Sequence, residues 1–193
     1  MSKYFRNFPT VGHNITNVGS NVQLTNILRR FKFRSSVQDN VNIFYTYNIQ
    51  EGDRADTIAE KYYGDSGYAW IVLHFNDIID PVYDWPLFYP NFEKYIRGKY
   101  GSMSTAQSTV HEYRQIIQPQ QTRNDGSIIP ERYVVIDQTT YVSLGGAGNP
   151  NLEEISDYDY EVEENERKRQ ISILDKRYLS QVRDEVEQIL RNL

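Results

Sequence analysis

The sequence predicts an α+β fold: a small strand-helix-helix module with an extended amino-terminal arm, a β-hairpin insertion and carboxy-terminal helices. Three observations carry that reading. A β-leaning run from Val41 to Ile49 gives way at Gly52-Asp53 to residues that recur at helical spacing. Two more β-rich runs flank Asn124-Asp125-Gly126, and Asp-Gly favours a tight reversal. The residues after Pro150 are acidic first and basic later, the order that complements a helix dipole. The expected segments are 1–40, 41–101, 102–150 and 151–193.

From Met1 to Gln38 the chain carries Lys3, Arg6, Arg29, Arg30, Lys32 and Arg34 and no Asp or Glu, although its formal net charge is −5. Leu24, Ile27, Leu28 and Phe31 fall at i, i+3, i+4 and i+7, which predicts a short basic amphipathic helix. Asn14 to Asn21 is polar and contains Gly19, so the arm is expected to be irregular and to depend on a partner for order. Basic arms bind nucleic acid, anionic membranes or acidic protein surfaces. No aromatic stacking platform or repeat accompanies these charges, so a protein surface is the expected partner, with no nucleic acid and no membrane.

Tyr47, Ile49, Gly52 and Asp53 then lead into Ala55, Ile58, Ala59 and Tyr62 at helical spacing, with Tyr63 beside them. Asp53 is placed to cap this helix and Gly64 to end it. Tyr68, Ile71, Val72 and Phe75 make a second short apolar face that stops at Asn76. Trp70, at core spacing, is expected to pack against Tyr47 and Tyr63.

The order Tyr47, Ile49, Gly52, Asp53, Ile58, Ala59, Tyr62, Gly64 and Asn76 resembles a LysM module. Arg54 stands where that family usually has Thr, and no closing strand follows Asn76. Asp80-Pro81-Val82-Tyr83-Asp84-Trp85-Pro86 stands there instead. This variant, together with Tyr63, Trp70 and Pro81, resembles the LysM-like baseplate wedge proteins of contractile-tailed (myovirus) bacteriophages. Glu164 to Ile173 resembles the carboxy-terminal segment of the same family. The resemblance implies a structural, non-enzymatic component that joins late in assembly, in the host cytoplasm, and clamps neighbouring wedges in the tail baseplate of the virion. The implied partners are the large ring-forming wedge protein and the lysozyme-like sheath-initiator wedge protein, with multiple copies per baseplate.

Downstream, Trp85 to Pro90 reads as an aromatic loop with Phe88 and Tyr89, because two close prolines oppose a regular helix. Asn91 is placed to cap a helix with Phe92, Tyr95 and Ile96 on one side, ending at Gly98 or Gly101. Ser102 to Ser108 reads as a linker. Val110–Ile117 and Arg132–Ile136 form the predicted hairpin, with a third short strand from Tyr141 to Leu144 before Gly145 to Pro150 breaks regular structure. Ser156 caps a predicted helix running to about Lys168, Ile171 and Ile173 alternate as a brief strand, and Asp175 caps a final helix. In that helix Tyr178, Val182, Val186, Ile189 and Leu193 share a face, with Leu179 and Leu190 beside it. The stripe requires cover from its own domain or from another chain. The candidate protein-binding residues are Leu24, Ile27, Leu28 and Phe31 in the arm, Trp85, Phe88 and Tyr89 in the aromatic loop, and Arg167 and Arg169.

The composition narrows the chemistry. Hydrophobic residues make up 39% of the 193, so burial leans on 16 Tyr, 8 Phe and 2 Trp. Tyrosine suits a thin core and a half-buried interface equally. With no cysteine there is neither a disulfide framework nor a thiolate zinc site. The first residues lack an apolar signal region, which weighs against secretion. His13, His74 and His111 show no ligand spacing, and no GxSxG, P-loop or GxGxxG motif is present. Gly145-Gly146-Ala147-Gly148 runs into Asn-Pro rather than a helix start, so it makes no phosphate cradle. The acidic run reads as a solvated helix face. No catalytic residue, cofactor or metal is expected. The alternative is a peptidoglycan- or chitin-binding LysM module with Trp70 or Trp85 stacked on sugar, and it suffers from the missing second strand that would line the groove.

Overall fold

The computed structural model describes residues 4–14, 19, 21–29, 31 and 43–191, and its mixed helices and strands make an α+β fold. Strands β1 (Thr10–His13), β2 (Val22–Thr25) and β3 (Phe44–Asn48) precede helices α1 (Ala55–Tyr63) and α2 (Ala69–Phe75). Next come α3 (Tyr89–Tyr100), α4 (Met103–Ser108), β4 (Val110–Gln118), β5 (Gln121–Thr122), β6 (Ile128–Ile129), β7 (Arg132–Ile136), α5 (Gln138–Ser143), β8 (Leu152–Ser156) and α6 (Asp157–Arg167). Strand β9 (Gln170–Leu174) and helix α7 (Leu179–Arg191) complete the order. Two compact units result: one takes the chain up to Pro86 and again from Lys168, the other is Leu87–Arg167. These units cut across the segments expected at 101 and 150, because the end of the chain returns to the first unit.

That return supplies the strand that the sequence lacks after Asn76. β3 pairs antiparallel with β9, Tyr45 opposite Ile173 and Tyr47 opposite Ile171. The whole second unit is therefore an insertion between a helix and the strand that closes its sheet. Asn76 latches the two sides: its Nδ2 donates to the carbonyls of Val72 (2.7 Å) and Ser172 (2.8 Å), and its Oδ1 accepts the Ser172 N–H (2.7 Å). In this unit Ile49, Ile58, Ile71, Val72, Ile173 and Leu174 are almost wholly buried. Each contributes about 1.5–3 kcal/mol relative to exposure. Helix α7 adds Val182, Val186 and Leu190, at i, i+4 and i+8, so its stripe is covered within its own unit. Leu193 lies outside the described residues.

The arm departs from expectation. Leu24 lies on β2 opposite Val11, not on a helix. Asn26 follows, and its side chain accepts the Leu28 N–H (3.3 Å) while its carbonyl accepts the Arg29 N–H (3.3 Å), so the backbone turns before a helix can start. Within the described part of the arm Phe8 and Phe31 are buried, and residues 1–3, 15–18, 20, 30 and 32–40 of the arm lie outside the described residues. Tyr4 and Phe31 are the rings that pack on Trp70, at centroid distances of 5.1 and 6.3 Å, in the place expected for Tyr47 and Tyr63.

Asp53 does not cap α1, whose N-cap is Arg54. Its carboxylate closes the preceding turn instead, accepting from Tyr47 Oη (2.7 Å) and the Gln50 N–H (2.9 Å). Thr57 Oγ1 reaches back to accept the N–H of the cap residue Arg54 (2.9 Å). Gly64 ends α1 as expected, with φ +82° and its N–H on the Glu60 carbonyl.

In the second unit α3 starts at Tyr89, earlier than Asn91, because Pro90 falls in the first turn where no N–H is needed. It ends at Gly101. The supposed linker is helix α4: Ser102 Oγ accepts the Thr105 N–H (3.0 Å), and Ala106 packs fully buried with Phe92 and Ile96. The predicted hairpin forms, Tyr113 opposite Ile136 and Ile116 opposite Tyr133, with the Asp125-Gly126 reversal beyond β5 and β6. Its third strand is β8, which pairs with β4 on the other side to give the order β7-β4-β8. Residues 141–144 are not a strand, since Asp137 caps α5 by accepting the Thr140 N–H (3.0 Å) and hydroxyl (2.8 Å). Ser156 starts α6, its Oγ accepting the Asp159 N–H (3.1 Å).

Candidate docking surfaces

The signature residues gather around β3, α1 and α2, and they hold the first unit together. Tyr47 Oη donates to Asp53, and that hydrogen bond, aided by desolvation, pushes its hydroxyl pKa up to about 12. Ile49, Ile58 and Ala59 are core residues, and the Ile49 N–H reaches the Arg169 carbonyl at 2.9 Å. Gly52 turns the chain at φ +89°, which a side chain would resist. Tyr63 is buried with its hydroxyl on the Leu174 carbonyl (3.1 Å), and burial raises its pKa. Tyr62 is exposed on the same helix. Pro81 sits in an exposed loop folded around Asp80 and Asp84: Asp84 Oδ2 accepts the N–H groups of Ile79 (3.1 Å) and Asp80 (2.9 Å). Lys168 Nζ ties this loop down through the Tyr83 carbonyl (2.7 Å).

The candidate protein-binding residues separate by exposure. Phe31 and Trp85 are buried, Trp85 with its Nε1–H on the Asp53 carbonyl (3.1 Å). Ile27 (65% exposed), Leu28 (87%) and Tyr89 (67%) face outward, Leu24 less so, and Phe88 is half-buried. Arg167 pairs with Glu164 at 2.6 Å, and Arg169 reaches the Ile49 carbonyl at 3.4 Å. Arg169 thus belongs to the local scaffold of the first unit.

Several titratable groups are buried in polar contacts. In the second unit Arg114, 4% exposed, donates to Glu163 through two 2.9 Å bonds and to Glu112 through Nε at 2.6 Å, and lies 4.1 Å over the Tyr133 ring. Glu161 is buried against Lys99, Tyr100 (2.8 Å) and Tyr95 (3.2 Å). Burial pushes its pKa up, but the Lys99 ammonium and the two hydroxyls outweigh that and hold it below the usual range. Asn165 bonds both the N–H (2.7 Å) and the carbonyl (2.9 Å) of Leu87. Among the described residues no group of His, Asp and Glu is arranged to hold a metal ion, and no helix is long and apolar enough to cross a membrane.

Comparison with known families is decisive: the family described as Base plate wedge protein 53 matches residues 2–189. The chain belongs to this phage base plate wedge protein family. Its role is accordingly structural, and its place is the tail baseplate of the virion. No curated protein matches the sequence.

For a wedge protein, exposed apolar side chains are the surfaces to find, and one set escaped sequence reasoning. Tyr133, Val134 and Val135 on β7 are all exposed, as are Ile117 and Ile128 nearby in the second unit. In the first unit Ile79, Val82 and Tyr83 project from the Asp80 loop. The available signal was the unbroken run Tyr133-Val134-Val135-Ile136. An edge strand with one wet face should alternate, and this one does not.

Proposed function

We propose that this base plate wedge family member is a clamp, holding neighbouring wedge proteins together while the baseplate assembles in the host cytoplasm. The observation that carries the reading is the family match over residues 2–189, on a chain whose two compact units each expose apolar side chains. Two small rigid units with separate surfaces suit multivalent attachment, which strengthens association without stronger individual contacts. Standard interfaces of roughly 1,200 Å² or more would be expected on each partner. The large ring-forming wedge protein and the lysozyme-like sheath-initiator wedge protein are the proposed partners, with several copies of the clamp per baseplate and no nucleic acid or membrane involved. In this reading the first unit is a LysM-like module whose closing strand, β9, is displaced behind the insertion.

The test is reconstitution. Wedge proteins of the same phage are mixed with and without the full chain and followed by sedimentation velocity. The chain is expected to shift separate wedges into joined ones. Identical distributions in the two samples would remove the clamp. A glycan-binding alternative gains one observation, the completed β3–β9 pair beside the Gly64 hinge. It predicts saturable pull-down on purified cell wall, competed by oligosaccharide, and absence of such binding excludes it.

A further inference from the structure

Strand β7 is the edge of its sheet: β4 pairs with one side of it, and no strand pairs with the other among the described residues. The direction of its unpaired groups follows from the ladder. The Ile116 N–H bonds the Asn151 carbonyl at 2.8 Å, so Ile116 turns its backbone groups away from β7. Its opposite residue, Tyr133, then forms a non-hydrogen-bonded pair, as does Val135 opposite Arg114 two residues along. Tyr133 and Val135 therefore aim their N–H and C=O groups at the open edge, while Val134 and Ile136 bond inward.

Proteins guard such edges with charges, prolines or bulges. The opposite edge, β8, is guarded by Glu153 and Glu154 in mid-strand. On β7 the run from Tyr133 to Ile136 has no charge and no proline, and its side chains are exposed on both faces, Val134 at 52% and Val135 at 54%. Matched donors and acceptors flanked by aliphatic surface on both faces suit an extended strand. A helix would leave the four backbone groups unpaired.

A second copy is a poor occupant. In the full-length antiparallel register centred on Val134, Glu131 of one chain would face Asp137 of the other, and like charges directly opposite are destabilising. The same two acids bracket the strand, and residues 87–167 carry thirteen Asp and Glu against seven Lys and Arg. Charge complementarity calls for basic residues at the ends of the incoming segment. Building on the wedge-clamp reading, we infer that β7 is a β-augmentation site, which takes an extended apolar segment with Lys or Arg at its ends from another baseplate protein.

The test is residue-resolved hydrogen exchange on the full chain, free and after incorporation into wedges built from purified wedge proteins of the same phage. In the free chain the Val134 and Ile136 amides exchange slowly and those of Tyr133 and Val135 rapidly. On incorporation the Tyr133 and Val135 amides slow at least tenfold. Unchanged rates at those two amides in an incorporated chain overturn the inference while leaving the clamp intact. Failure of the chain to join wedges at all overturns both. Val135→Pro removes an N–H that the native sheet does not use, so it is expected to leave thermal unfolding intact and weaken incorporation at least tenfold. Val135→Lys, which keeps the backbone donor, weakens it through the exposed face. Wild-type incorporation by both variants contradicts the site. Protection of the same amides in a concentration-dependent dimer of the free chain identifies a second copy and overturns the heterologous partner.

Discussion

The first unit buries Ile49, Ile58, Ile71, Val72, Ile173 and Leu174, whereas the second buries Arg114, Glu161 and Asn165 along with an apolar cluster of Phe92, Ile96 and Ala106. An aliphatic core responds to lost volume, because a cavity forfeits both transfer energy and contacts. A buried polar set responds to lost partners, because one orphaned charge costs more than the pair contributed. The contrast also accounts for where apolar surface is left over: the second unit's sheet has charged residues at its centre and exposes valines on its free edge.

The largest effect should come from the core. Ile173→Ala is expected to destabilise the first unit by about 3–4 kcal/mol, read by denaturant titration with hydrogen exchange resolved for each unit. A loss within about 0.5 kcal/mol, as for a surface change, would break the contrast. Arg114→Met should cost the second unit about 2 kcal/mol, less than a fully buried break because Glu163 is half in water and can hydrate. If the loss matched that of Ile173→Ala, polar and apolar cores would not differ as described.

Asn76→Ala removes three hydrogen bonds, two of them to Ser172, and should cost about 1–2 kcal/mol. Its signature is selective loss of exchange protection in β9. The smallest effect sharpens the contrast through pH. The Arg177 side chain and N–H and the Tyr45 hydroxyl hold the Asp175 carboxyl below its ordinary value of 3.8. Its contribution is therefore full above about pH 4 and is lost as pH falls through the depressed folded value. Asp175→Asn should flatten the acid limb of the first unit and leave that of the second, where Asp125, Asp137 and Glu161 are depressed carboxylates, unchanged.

Legibility in the sequence followed locality. Helix α1, its Gly64 stop, the Asp125-Gly126 hairpin and the Ser156 cap were readable because each depends on a few adjacent residues. The β3–β9 pair was not, since nothing near Asn76 says that its strand lies beyond the second unit. Ile171 and Ile173 announced a strand without a partner. Leu24 to Phe31 shows a period-four pattern overruled by Asn26 and by pairing with β1, and residues 141–144 show a β-leaning run overruled by the Asp137 cap. Of the docking candidates, Ile27, Leu28 and Tyr89 are exposed, while Phe31 and Trp85 carry the same apolar signal and lie inside, a distinction that only tertiary packing makes.

The most direct test of the structural account is to assemble baseplates from the wedge proteins of the same phage with this chain supplied or omitted, and to count joined wedges by electron microscopy. Joined wedges should require the chain, with its density at the contacts between neighbours. Equal numbers of joined wedges without it, or density confined to one wedge alone, would contradict the account.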